Sequence, residues 1–288
     1  MSKVDEKTNQ KLKVYIPPLL LQRVQYVSPT ITSQLIGQGA FGCVYRPPLP
    51  CPKPSPALQT LINEKKDIVL KIGELEQENA AANTIRKLYP NLKLSFSYDL
   101  LFTLALPKYE YKCLFDNGKF FDLQGTGCAG DILGNDHLYY LYNGISLYKW
   151  IENYNLYTLS KLPTYLQVSI LVILYRLLVG VFILYKMGIV HQDIFPRNIL
   201  ITFDGTPRLI DFGNAMLNKF ESVLNDITHV FDIFDYSQFT IVPENYFQKL
   251  QMIEKEEEFP IMIQSFESLL ISLKLSIYIL PIQNLFKK

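Results

Sequence analysis

The segment His191-Gln-Asp-Ile-Phe-Pro-Arg-Asn-Ile-Leu200 carries an aspartate and an asparagine five positions apart, and Asp211-Phe212-Gly213 begins 13 residues after Asn198. Moving a nucleotide's γ-phosphoryl group requires a carboxylate beside the attacking hydroxyl and two oxygen-bearing side chains on metal ions that neutralise the phosphates. Asp193 has the chemistry of the first, and Asn198 and Asp211 that of the other two. Residues 199–203 and 208–210 read as short strands around the turn Asp204-Gly205-Thr206-Pro207, and such a hairpin would bring Asn198 and Asp211 to one rim. The spacing thus predicts a shared metal site.

Upstream, Gly37-Gln38-Gly39-Ala40-Phe41-Gly42-Cys43-Val44 has the pattern G-x-G-x-x-G-x-V between apolar flanks. Glycines at 37, 39 and 42 would let backbone amides approach phosphates closely. Next comes Ile68-Val-Leu-Lys71-Ile72, an apolar strand with one lysine. With these motifs in this order the chain resembles the protein kinases, over roughly residues 33 to 236. The resemblance implies an α+β, bilobal protein-kinase-like fold: a β-rich N-lobe over 31–142 and a reduced, mainly helical C-lobe over 143–288, preceded by an arm at 1–30. It further implies that ATP and Mg2+ (with Mn2+ as an alternative ion) are the cofactors, that Lys71 grips the α- and β-phosphates, and that a glutamate on the next helix pairs with it. Glu74, Glu76 and Glu78 are the candidates; Glu78 is chosen because it leads most directly into the helical spacing of residues 80–88.

By order in the family, Asn143-Gly144-Ile-Ser-Leu147 resembles the hinge between lobes. The backbone from Tyr140 to Tyr142 would meet the purine edge, with Ile36, Val44 and Leu200 sandwiching its faces. Several positions depart from the family. Phe195 stands where serine/threonine kinases carry a lysine for the γ-phosphate, and Arg197 is placed to restore that charge. Gln192 replaces an arginine that reads activation-loop phosphate, and no Ala-Pro-Glu follows Asp211-Phe-Gly. Asp232 aligns with the buried aspartate of the central C-lobe helix, leaving 21 positions after Asp211. The resemblance implies a protein kinase acting on Ser/Thr hydroxyls, with a kinase-fold small-molecule phosphotransferase or a catalytically inactive scaffold as alternatives.

The composition agrees with one catalytic unit. At 288 residues and 49% hydrophobic, the chain can form two connected cores. A net charge of +1 without a long basic run argues against nucleic acid as the main partner. Four cysteines at 43, 51, 113 and 128 form no CxxC pair, which argues against zinc and for a reducing, cytoplasmic home. Residues 166–185 are apolar enough to span a membrane, but Arg176 interrupts them and the reading is a buried helix before the catalytic loop. Residues 266–280 read as a late helix ending at Pro281. A proline-rich insert at 46–56 reads as an extended spacer that also suits a proline-binding partner, and a glycine-rich insert at 116–136 as an extra loop. The run GCVYRPPLPC resembles the serine/threonine kinases of large cytoplasmic DNA viruses.

Overall fold

The computed structural model describes residues 33–88, 136–276 and 279, leaving out 40, 41, 50–53, 55, 66, 74, 142, 143, 203, 204, 218, 219 and 244. The expected arm at 1–30 and nearly all of the insert at 116–136 lie outside the described residues, as do Ala40, Phe41 and Tyr142.

Four antiparallel strands, β1 (Gln34–Gly39), β2 (Gly42–Arg46), β3 (Ile68–Gly73) and β4 (Asp136–Leu141), pair in sequence order. Because side chains alternate across a strand, register decides what each face carries. Cys43 pairs with Ile72, Tyr45 with Leu70, and Leu70 with Tyr139, so these five share one face and form a small apolar core. Val44 and Leu138 both pair with Lys71, and Val69 pairs with Tyr140, so Val44, Val69, Lys71, Leu138 and Tyr140 share the other.

A helix, α1 (Pro56–Asn63), covers the first face through Leu58, which is fully buried. It follows the insert expected to be extended at 46–56 and shares only Pro56 with it. Proline is compatible with the first turn of a helix, where its missing N–H has no partner to lose, so Pro56 begins the helix that the alternating prolines before it concealed. Arg46 closes the base of this excursion with two bonds to Asp67, Nε to Oδ1 at 3.0 Å and Nη2 to Oδ2 at 2.5 Å. Cys43 is disulfide-bonded, to a partner outside the described residues.

After β3 comes α2 (Glu76–Leu88), and after β4 the short strand β5 (Ile145–Ser146) leads into α3 (Leu147–Asn153). Ser146 caps α3, its hydroxyl accepting from the Lys149 N–H at 3.3 Å, and Trp150 packs in the core. The long helix α4 (Thr164–Lys186) is apolar on every side and is the centre of the helical lobe. By length and composition it could cross a membrane, yet 89% of its most apolar window is buried inside the protein. Each Leu, Ile or Phe so buried contributes on the order of 1.5–3 kcal/mol.

Beyond it run β6 (Ile189–Val190), β7 (Ile199–Ile201), β8 (Pro207–Leu209), β9 (Met216–Leu217), α5 (Phe220–Phe231), α6 (Tyr246–Gln251) and α7 (Glu258–Ser272). β7 and β8 form the expected hairpin and β5 adds to its outer edge. The late helix differs from the expectation of 266–280. It begins at Glu258, where Glu258 accepts from the Glu254 and Lys255 N–H groups, and its C-terminal cap is Leu273, followed by Lys274 at φ 61°. A left-handed residue ends the helical ladder there although the apolar run continues.

Gly144 shows how closely β5 lies on the hairpin. Its φ is 145°, and a Cβ there would collide with the Ile201 carbonyl oxygen. Gly188 (φ 74°) has open space around the same hypothetical atom. Gly188→Ala is expected to cost about 1–2 kcal/mol, the left-handed backbone penalty alone. Gly144→Ala should exceed it clearly in thermal unfolding, because β5 must also separate from β7. Equal losses would show that the close approach is unimportant.

Candidate active site

At the centre of the site one lysine is ion-paired with two carboxylates. Lys71 Nζ donates to Glu78 Oε2 at 2.5 Å and to Asp211 Oδ1 at 2.9 Å. Lys71 occupies the strand position facing away from the core under α1, and Glu78 lies in the first turn of α2, where the helix dipole favours a carboxylate. Both are buried, whereas Glu76 is exposed and Glu74 lies outside the described residues. Burial pulls the Lys71 pKa down, but attraction to Glu78 and Asp211 outweighs it and the net shift is upward. The ammonium is therefore kept charged in a nearly dry place.

Tyr140 completes this group. Its hydroxyl donates to the other oxygen of Glu78, Oε1, at 2.6 Å. Sequence order assigned Tyr140 a backbone contact with a purine; the structure shows in addition a side chain directed at Glu78. The alternation of β4 carried that signal, since Tyr140 lies two positions from Leu138, the partner of Lys71.

The second cluster is the loop from His191 to Asn198. The Asn198 amide nitrogen donates to the Asp193 carbonyl at 3.0 Å and to its Oδ2 at 2.8 Å. Arg197 Nη2 reaches Asp193 Oδ1 at 3.1 Å, and Asn214 Nδ2 lies 3.5 Å from Oδ2. Arg197 also lies over the Phe195 ring at 5.0 Å, and the ring of His229 packs against Phe195 at 4.9 Å. Arg197 thus places a cation beside Asp193 while Phe195 turns an aromatic face to it. The Ile210 N–H donates to the Asn198 carbonyl at 2.9 Å, which brings the start of Asp211-Phe-Gly beside the asparagine. Asp211 itself has left-handed backbone (φ 64°, ψ 72°), uncommon for a residue other than glycine.

This loop hangs on Asp226. One carboxylate oxygen accepts the His191 N–H at 2.8 Å and the other the Gln192 N–H at 2.9 Å. Asp226 is buried in α5, whereas Asp232 is exposed just beyond that helix. The alignment on Asp232 is therefore corrected to Asp226, six residues earlier. The sequence signal was an acid on the helix face carrying Val223, Ile227 and Val230. Ser222 and Thr228 consequently fall within α5 rather than in a loop after Asp211. His191 is fully buried: its Nε2 bonds the Ile210 carbonyl at 3.0 Å, and its Nδ1 accepts the Asp193 N–H at 3.3 Å. These bonds suit a neutral ring with the proton on Nε2.

On the nucleotide side, Gly37 pairs with Val44, Gln38 with Cys43, and Gly39 with Gly42. Gly42 has a structural reason besides phosphate approach, since a Cβ there would strike the Ile72 carbonyl oxygen of β3. Ile36 is 45% exposed and Val44 and Leu200 are half-buried, so apolar surface remains on both lobes. The donor set fits magnesium. The Asn198 nitrogen is committed to Asp193, which leaves its carbonyl oxygen as a ligand, and Asp211 offers a carboxylate. Magnesium takes one or two such protein oxygens and completes its shell with phosphates and waters.

No family model matches the chain. Short segments are similar to curated kinases: 38% identity over 71 residues to the MAP kinase kinase kinase SSK2 of Saccharomyces cerevisiae (20% of this chain, 4% of that protein); 42% over 45 residues to a probable cell division protein kinase of Encephalitozoon cuniculi (16% and 17%); and 42% over 40 residues to the serine/threonine-protein kinase HAL4/SAT4 of Saccharomyces cerevisiae (14% and 7%). The matched segments thus span less than a fifth of each of these relatives. Among solved structures, the ROP18 kinase domain in complex with AMP-PNP and sucrose is similar over 83% of this chain and 80% of that one, with TM-score 0.50 and 14% identity. The chain has the α+β protein-kinase fold.

The two buried acid–base groups beneath the loop predict a distinctive pH response. Burial lowers the His191 pKa from 6.5 to about 4, so His191 contributes stability above 6.5 that is lost as pH falls toward 4. Burial raises Asp226 from 3.8 to about 7 against the pull of its two N–H donors, so its contribution is complete below 3.8 and lost as pH rises through 7. The slopes oppose each other between pH 4 and 6.5. Asp226→Asn removes the opposing slope, and its melting temperature should climb more steeply over that range than that of the unaltered protein. Parallel profiles would refute the opposition.

Proposed function

We propose that the protein is an ATP- and magnesium-dependent protein kinase that transfers the γ-phosphoryl group to Ser/Thr hydroxyls of proteins. The observation that carries this reading is Lys71 bonded at once to Glu78 of α2 and Asp211 of the following lobe, with Asp193 and Asn198 joined on the adjacent loop. ATP supplies the phosphoryl group, and magnesium would neutralise its phosphates from Asn198 and Asp211. The chain's own work is then to position. Lys71 holds the α- and β-phosphates, and the strand–turn–strand of residues 34–46 covers them. Asp193 accepts the proton of the attacking hydroxyl as the new O–P bond forms, while the bond from the γ-phosphorus to the bridging oxygen breaks and its electrons leave with ADP. Arg197 lies where it neutralises charge beside that transfer.

The short similarities to serine/threonine kinases support the choice of acceptor, and Phe195 is the departure from it. One observation favours a second reading, a small-molecule acceptor. Only eight residues separate Asp211 from Phe220, where α5 begins, which leaves little chain to dock a peptide. Labelled ATP offered with generic proteins and with a panel of small alcohols decides between the two by which becomes labelled.

The roles predict distinct variants. Lys71→Met should abolish transfer with the fold intact, Glu78→Gln should reduce it less, and Glu76→Gln, on an exposed residue, should be nearly silent. Asp193→Asn should bind Mg-ATP normally in calorimetry and lose transfer by about 100-fold or more. Asp211→Asn should lose magnesium-dependent affinity and turnover together, with Asn198→Ala a milder form. A wild-type protein that binds nucleotide and transfers to nothing would leave a scaffold.

A further inference from the structure

We propose that Tyr140 is a positioning residue that latches α2 to the sheet through Glu78, so that the Lys71 pair is assembled without any modification of the segment after Asp211. The proposal deepens the kinase reading and rests on it for its catalytic consequence.

The geometry points to Tyr140 for three reasons. Glu78 receives a donor on each oxygen, Lys71 on Oε2 and Tyr140 on Oε1, so its carboxylate is fixed from two sides. Both donors come from the sheet, from adjacent strands and the same face, whereas Glu78 is the contribution of α2. Tyr140 has an aromatic stem, and a rigid ring holds its hydroxyl in place at a smaller entropic cost than a long flexible side chain would. A carboxylate held by lysine alone could follow the lysine as it reaches toward phosphates. With the phenol in place, Glu78 stays and Lys71 is directed by it.

The surrounding features show why such a latch is needed. Where an arginine beside the catalytic aspartate would read a phosphate, Gln192 instead donates its side-chain amide to the Met216 sulfur at 2.8 Å. Ser222 lies in α5, and the Thr228 hydroxyl is bonded within that helix to the Leu224 carbonyl at 2.9 Å. No described loop serine or threonine after Asp211 and before α5 is available to fasten α2 by phosphorylation. What meets α2 from the second lobe is the turn Phe212–Asn214, together with the ion pair from Lys71 to Asp211. The phenol–carboxylate bond adds a fastening from the first lobe.

The test uses Tyr140→Phe, which keeps the ring and removes the hydroxyl, alone and combined with Glu78→Ala in the full chain. Affinity for AMP-PNP with magnesium is read by calorimetry, amide exchange along α2 by mass spectrometry, and transfer by single-turnover assay. Tyr140→Phe should loosen α2 and lower the transfer rate by roughly tenfold or more, the scale of one hydrogen bond to a charged acceptor. In the Glu78→Ala background the same change should alter neither nucleotide affinity nor exchange, because the latch runs through that carboxylate. Equal effects in both backgrounds would reduce Tyr140 to a packing residue, and unchanged exchange in Tyr140→Phe would overturn the latch. If the wild-type protein fails to bind nucleotide, the kinase reading falls, and the exchange comparison still decides the latch by itself.

Discussion

The bond from Lys71 to Glu78 and Asp211 is the constraint on which the rest depends. It joins a strand, a helix and the turn after the hairpin, elements separated by up to 140 residues in sequence. Three charged groups in a largely buried place are costly unless each is matched. Here one cation faces two carboxylates, and the phenol of Tyr140 shares the surplus negative charge. Removing one partner would strand the others in low dielectric, at about 3–5 kcal/mol for a broken buried pair. The arrangement therefore fixes how the sheet, α2 and the turn Phe212–Asn214 sit together.

A second anchor works from below. Asp226 holds two consecutive backbone N–H groups at His191 and Gln192, and His191 in turn bonds the carbonyl before Asp211. These bonds tie the two halves of the site to one helix. Asp193 and Asn198 need no long segment to order them, since the loop is bonded to the core at its start and to the hairpin at its end. Hence the connection from Asp211 to α5 can be short without dissolving the geometry beside Asp193.

Sequence order made the chemistry-bearing residues legible because each lies in a local pattern: glycines at fixed offsets, one lysine in an apolar strand, a short loop leading into a hairpin. The choice of Glu78 over Glu76 was also local, decided by which acid enters the helical face. What escaped were contacts between distant segments. Order in the family points to Asp232, whereas packing shows that Asp226 faces the loop. The hydroxyl of Tyr140 and the ring of His229 likewise act 62 and 34 residues away from their partners Glu78 and Phe195. The helix α1 shares only its first residue, Pro56, with the proline run that reads as extended chain, and the end of α7 is concealed by an apolar run that outlasts the helix.

The two anchors also differ in what a ligand can do to them. Asp226 accepts from two backbone N–H groups, neither of which belongs to a side chain that the proposed nucleotide or metal would engage. Under the proposed kinase function Lys71 would instead turn toward phosphates, and Asp211 toward a metal, which would weaken the bond that joins them. The contact between lobes would then pass to the nucleotide and its ion, while Glu78 would hold the lysine from the side of α2.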